Sequence, residues 1–184
     1  MKAITVMGLD TSTKTGFAVL SFAPEEGISL IRTGIISSKK VGFERWAAMA
    51  EELQAILVLH RPAFLVTEGY GFGNANTLAT LVEVGTVLRY FIWQEGLTNI
   101  LIPPTTLKKF TTGRGNSKKE GMLLEVYKRW GHEVPTNDEA DAVALGYVGL
   151  ALSGVDVALP KVNLSAVNRY QAEVPRKFLQ SSAN

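Results

Sequence analysis

The chain has 184 residues, 46% of them hydrophobic and 20% charged, which suits one globular domain with a core of its own. It contains no cysteine, which excludes a disulfide framework and a thiolate metal site. The formal charge of +2 is too small to argue for a polyanionic partner. No apolar run reaches membrane-spanning length and no signal peptide is read at the start, so a cytoplasmic protein without membrane attachment is expected.

Residues 3–9 predict a buried strand ending at Asp10, and 15–22 and 27–38 predict two further strands, β-branched and separated by the turn Pro24-Glu25-Glu26-Gly27. Phe43, Trp46, Ala47, Ala50, Leu53, Ile56 and Leu57 recur at helical spacing, predicting a helix over 42–60 that stops before Pro62. Residues 63–68 predict an apolar strand ending in Glu68, followed by the loop Gly69-Tyr70-Gly71-Phe72-Gly73. A helix over 75–94, a strand over 99–102 and a short helix over 105–110 come next, then a loop from Thr111 to Asn116. Ser117 and Glu120 form a capping-box pattern for a helix running to Trp130, and Pro135-Thr136-Asn137 opens a last helix from Asp138 to Leu152. A meander followed by alternating helix and strand predicts an α/β sheet, parallel in its second half. Residues 1–152 therefore read as one domain, and 153–184, without periodicity, as an extended or partly ordered tail.

Charge is distributed unevenly. Residues 101–131 carry Lys108, Lys109, Arg114, Lys118, Lys119, Lys128 and Arg129 against only Glu120 and Glu125, a local +5 where the rest of the chain sums to −3. That zone reads either as a phosphate-contacting surface or as a solvated helical face.

Carboxylates stand where hydrophobic elements end or begin: Asp10 after the first strand, Glu68 at the end of the fourth, Asp138 and Asp141 on the first turn of the final helix. A spacing of three puts the last two on one helical face. If the strands bearing Asp10 and Glu68 are neighbours and the helix crosses them, four acids converge and repel one another unless cations intervene. Oxygen-only ligands suit Mg²⁺ or Mn²⁺, and two such ions would serve phosphodiester hydrolysis without a protein nucleophile. Each acid also has a plain structural reading; Asp10 can form a turn with Thr11-Ser12-Thr13, and Asp138 or Glu139 can favour the helix dipole.

Three separated motifs then carry a resemblance. Gly8-Leu9-Asp10-Thr11-Ser12 with Thr15-Gly16-Phe17-Ala18-Val19, Phe64-Leu65-Val66-Thr67-Glu68 with Asn74-Ala75, and Asn137-Asp138-Glu139-Ala140-Asp141-Ala142-Val143-Ala144 are similar to the RuvC-type Holliday junction resolvases of the RNase H-like superfamily. The likeness covers residues 3–152. It implies an RNase H-like fold: a mixed five-stranded sheet with helices on both faces. It also implies Asp10, Glu68, Asp138 and Asp141 as metal ligands for two ions, and hydrolysis of four-way and other branched DNA. Lys108 and Lys119 carry over as catalytic lysines, with Lys109 and Lys118 as neighbours that fit as well; Arg114 joins them as a DNA contact. Tyr70 and Phe72 are the candidates for an aromatic that stacks on unpaired bases. A two-fold DNA substrate calls for a homodimer, and helix 75–94, apolar on more than one face, is the element to build it. The glycine-rich loop and the long tail depart from the family pattern and would suit a relaxed, phage-type branched-DNA nuclease. Competing readings are an RNase H-like nuclease acting on RNA–DNA hybrid, an actin-like phosphotransferase, for which one domain leaves too little room, and a non-catalytic DNA-binding module. His60 and His132 are assigned no role.

Overall fold

The structure is a computed structural model that describes residues 2–71, 75–116 and 119–179, with 75–77 and 119–120 described by their backbone alone. Its strands are β1 (Ile4–Asp10), β2 (Thr15–Ala23), β3 (Gly27–Ile36), β4 (Leu65–Glu68) and β5 (Asn99–Ile102). They form one sheet in the order β3-β2-β1-β4-β5. β1, β2 and β3 pair antiparallel, whereas β4 joins β1, and β5 joins β4, in parallel. The mixed five-stranded sheet expected from the sequence is the one present.

Alternation along the strands sorts the sheet into two faces. Met7, Leu9, Phe17, Val19 and Leu65 pack against helices α1 (Gly42–His60) and α2 (Ala75–Gln94). Ile4, Val6, Ala18, Leu20, Phe22 and Val66 face the other way, onto α3 (Pro104–Thr112), α4 (Lys119–Trp130) and α5 (Asn137–Leu152). The central helix is α5, buried along nearly its whole length. Its approach to the sheet is very close. A Cβ at Gly8 would lie 1.9 Å from the Ala142 carbonyl oxygen, and one at Gly16 would lie 2.1 Å from that of Asp138. Only hydrogen fits at either place.

Two stretches differ from the sequence expectation. The loop predicted from Thr111 starts later, because Phe110 and Thr111 are buried and extend α3 to a left-handed cap at Gly113 (φ 81°). The stretch after Leu152 is more ordered than its lack of periodicity suggested. Val155, Val157, Leu159, Val167, Tyr170 and Val174 enter the same core as α5, and Phe178 packs 6.3 Å from the Phe64 ring. A four-residue helix α6 (Lys161–Leu164) and 3-10 turns at Asn168–Glu173 and Arg176–Phe178 connect these anchors. The predicted Ser117 cap lies outside the described residues.

Candidate active site

Asp10 ends β1, facing Gly16 of β2 across the antiparallel ladder. On the other side, Gly8 pairs with Val66 and Leu9 with Thr67 in parallel register, so one step further Asp10 stands beside Glu68. Because side chains alternate, Asp10 shares a face with Val6 and Gly8, and Glu68 shares one with Val66. Both therefore project toward α5. Asp10 is only 8% exposed, and Glu68 is half-buried.

The turn after Asp10 is closed by its own side chains: Thr15 Oγ1 accepts from the Ser12 amide (3.2 Å) and donates to the Ser12 carbonyl (2.7 Å). Arg45 of α1 donates to the Thr13 carbonyl at 3.0 Å and holds the turn to the helix layer. The loop after Glu68 is tied to β5, the Gly69 amide donating to the Ile102 carbonyl at 2.8 Å.

The first turn of α5 arrives above this end of the sheet. Thr136 caps it, accepting from the Glu139 amide at 3.2 Å and donating to Glu139 Oε1 at 3.1 Å. Glu139 is turned inward and 4% exposed, its Oε2 accepting from Thr33 of β3 at 3.0 Å. That places the Asp138 backbone on Gly16, the ladder partner of Asp10, with Asp141 one turn further along. Both aspartates are half-buried. Acids on three distant segments thus stand toward one end of the central strands β1 and β4. Among the described residues, no three acidic or histidine side chains are already drawn to metal-ligand spacing. The donor chemistry, oxygen only, suits a hard cation.

The basic candidates separate by flank. Pro104 starts α3 directly after β5 and touches Gly71 in the loop beyond Glu68, its Cγ 3.7 Å from a Cβ built there. Lys108, four residues on, shares that face and is half-buried. Lys109 is exposed on the other flank and lines a cavity with residues of the chain after α5. Arg114 is exposed in the loop that follows. Lys118 and Phe72 lie outside the described residues, and Lys119 is described only as the first backbone position of α4. Tyr70 is turned back onto α2: Arg89 donates to its hydroxyl and stacks 5.0 Å from its ring centroid, and the hydroxyl reaches the Val82 carbonyl at 3.4 Å. Its ring is thereby engaged within the protein rather than presented to a base.

The family model described as Crossover junction endodeoxyribonuclease RuvC matches residues 6–148. The chain belongs to the RuvC family. It is a nuclease of a metal-dependent family, and the match spans all three acidic motifs. A RuvC of Synechococcus sp. (strain CC9311) is 26% identical over 154 residues, covering 78% of this chain and 96% of that protein. The RuvC structure of Thermus thermophilus superposes with a TM-score of 0.70 at 21% identity, over 83% of this chain and 98% of that one. The same RuvC in complex with a Holliday junction substrate gives a TM-score of 0.68 over 78% of this chain and 90% of that one. These likenesses establish the RNase H-like fold expected from the sequence.

Sequence reasoning passed over two residues, one in the first turn of α5 and one in the chain after it. Glu139 read only as a dipole partner, and nothing in the pattern ties it to Thr33, 106 positions earlier. Arg169 lay in the aperiodic stretch and drew no notice.

Proposed function

We propose that this chain resolves four-way DNA junctions, and cuts other branched DNA, as a divalent-cation-dependent endonuclease working as a homodimer in the cytoplasm. The observation that supports the reading is the parallel register of β1 on β4, Gly8 on Val66 and Leu9 on Thr67, whose next step would be Asp10 on Glu68. Asp10, Glu68, Asp138 and Asp141 are the residues that would hold the cations. Two Mg²⁺ or Mn²⁺ ions bound there would supply Lewis acidity at the scissile phosphodiester. The chain's own residues do the rest. Strand ends hold two of the acids on the most rigid part of the fold, and burial of Asp10 keeps competing water away from it. Lys108, on the flank of α3 nearest the Glu68 loop, is the lysine we assign to the phosphate undergoing attack; Lys109 and Arg114 bind backbone further out. Lys119 and Lys118 belong to the same basic segment, and Phe72 is left as the base-stacking candidate.

The dimer assignment is supported by the exterior of the α1–α2 layer. A groove of about 540 Å³ runs between Phe43, Trp46, Val82 and Val87, and Phe43, Tyr90 and Trp93 are 72%, 52% and 70% exposed. A cluster of large apolar residues at the surface favours a covering partner, and two-fold DNA favours a second copy.

The test is cleavage of a labelled immobile four-way junction by wild type and Glu68→Gln, each with and without Mg²⁺, beside a fork, a duplex and an RNA–DNA hybrid. Paired symmetric nicks that need both Mg²⁺ and Glu68 are expected. Preferential cutting of the hybrid would instead favour the RNase H-like alternative, and full activity of Glu68→Gln would remove the metal-site assignment.

A further inference from the structure

Beyond the part of the chain that the family model matches, residues 160–170 build a second cationic feature on α3. Asn163 is 2% exposed and donates Nδ2 to the Phe110 carbonyl at 2.7 Å and to the Lys109 carbonyl at 3.5 Å. Both belong to the last turn of α3, where the Lys109 carbonyl also accepts from the Gly113 amide at 3.0 Å. Val167 and Tyr170 then anchor the segment in the core. Arg169, between them in sequence, reaches back toward α3. Its Nη2 donates to the Tyr170 hydroxyl at 2.7 Å and to Thr106 Oγ1 at 3.4 Å, and its guanidinium carbon lies 4.8 Å from the Tyr170 ring centroid. These contacts hold an otherwise exposed guanidinium in one place.

Between α3 and this segment lies a cavity of about 380 Å³, lined by Thr105, Thr106, Lys109, Gly115, Ser165 and Arg169, with Ala166 at its wall. We propose that this cavity is a phosphate-binding site through which the segment after α5 grips the backbone of a DNA arm. The inference rests on the nuclease reading above and extends it to residues that reading does not use.

The lining chemistry argues for an anion. Two cations and three hydroxyls converge, and no carboxylate lines the cavity among the described residues. A guanidinium has five N–H donors, and both internal bonds of Arg169 use the single nitrogen Nη2. Nη1 and Nε keep their N–H groups for single charge-assisted bonds to a phosphate. Among the described residues, neither Arg169 nor Lys109 forms an ion pair. Position argues for polymeric DNA over a free anion. Gly115 of the cavity wall follows Arg114 directly, and Lys109 sits beside Lys108 on the opposite flank of α3, so the site continues the +5 segment instead of standing apart from it. A backbone crossing α3 would meet Lys108 on one side and the Lys109–Arg169 pair on the other.

The experiment measures affinity for the immobile junction in EDTA, across salt from 50 to 200 mM, for wild type, Arg169→Gln, Arg169→Lys and Tyr170→Phe. Loss of one phosphate contact lowers the slope of log K against log salt by about 0.9, so the wild-type advantage over Arg169→Gln should be about three- to fourfold larger at 50 mM than at 200 mM. Arg169→Lys and Tyr170→Phe, which keep the charge, should hold most of the slope. An unchanged slope in Arg169→Gln overturns the proposal, whether or not its melting temperature falls. Arg169→Lys losing as much slope as Arg169→Gln also overturns it, because the role would then lie in the Tyr170 contact. Failure of the nuclease reading looks different: wild type itself would bind no junction, and both proposals would fall together.

Discussion

Replacing Gly16 by alanine tests whether the contact between α5 and β2 sets the active site. The added Cβ would stand 2.1 Å from the Asp138 carbonyl oxygen and 2.4 Å from its carbon, both backbone atoms that cannot rotate aside. Opening the shorter contact to 3.0 Å, the least that real Cβ atoms tolerate, moves the first turn of α5 by about 0.9 Å. Overpacking of this kind costs about 1–3 kcal/mol. For a chain of 184 residues that is a fall in melting temperature of roughly 2–4 °C per kcal/mol. Activity should suffer far more, because a displacement of about 1 Å at a reacting centre can cost on the order of 100-fold. Junction cleavage rate and thermal melting, measured on the same preparation, give both numbers. Gly8→Ala is the control: its clash is with Ala142 and Gly146, deeper along α5, and it should lower stability at least as much. A Gly16→Ala protein that melts and cuts like wild type would refute the idea that this helix turn positions the acids.

Lys108→Ala should lower the single-turnover cleavage rate while leaving junction affinity nearly intact, and Lys109→Ala should do the reverse; equal behaviour of the two would contradict their placement on opposite flanks of α3. His132 bonds Tyr147 through Nε2 at 2.8 Å, and burial holds its pKa below the ordinary 6.5. The unfolded chain then binds the extra proton first, so stability is full above 6.5 and is lost as pH falls below it through the lowered native value; melting of wild type against His132→Gln from neutral to acid pH measures that loss, and a flat difference would cancel the argument. Trp93→Asp combined with Val82→Asp should convert a dimer to a monomer in sedimentation equilibrium without a matching loss of fold by circular dichroism, since both side chains are exposed.

The elements that position the site were legible because each is specified locally. Strand β1 is an apolar run ended by an acid, β2 and β3 are β-branched runs around a turn, and α5 follows the turn Pro135-Thr136-Asn137. The features that escaped depend on partners far off in sequence. Tyr70 folds back because Arg89, nineteen positions later, takes its hydroxyl and ring. The resemblance carried over Lys108 with Lys109 as a neighbour that fits as well, and a helical wheel alone does not tell which flank of α3 meets Gly71. The stretch after Leu152 shows no period because its anchors, from Val155 to Val174, enter the core singly from loops and short turns instead of forming one face of a long element.

Gathering acids at one end of the sheet has a thermodynamic signature that does not depend on turnover. Without cations, Asp10 is a mostly buried carboxylate, and under the proposed metal site its charge is balanced by no bound ion, which costs the fold that holds it. Asp10→Asn in EDTA should therefore melt at or above wild type. Adding Mg²⁺ should invert the ranking, since binding to the folded state alone stabilises by about 2.7 kcal/mol at a hundredfold excess over Kd, or roughly 5–11 °C for a domain of this size. The variant, with one ligand removed, should gain only a fraction of that shift. Differential scanning calorimetry of both proteins across a Mg²⁺ titration decides the matter. Equal shifts in wild type and Asp10→Asn, or none in either, would mean that these side chains do not share a cation, and the catalytic scheme would lose its centre.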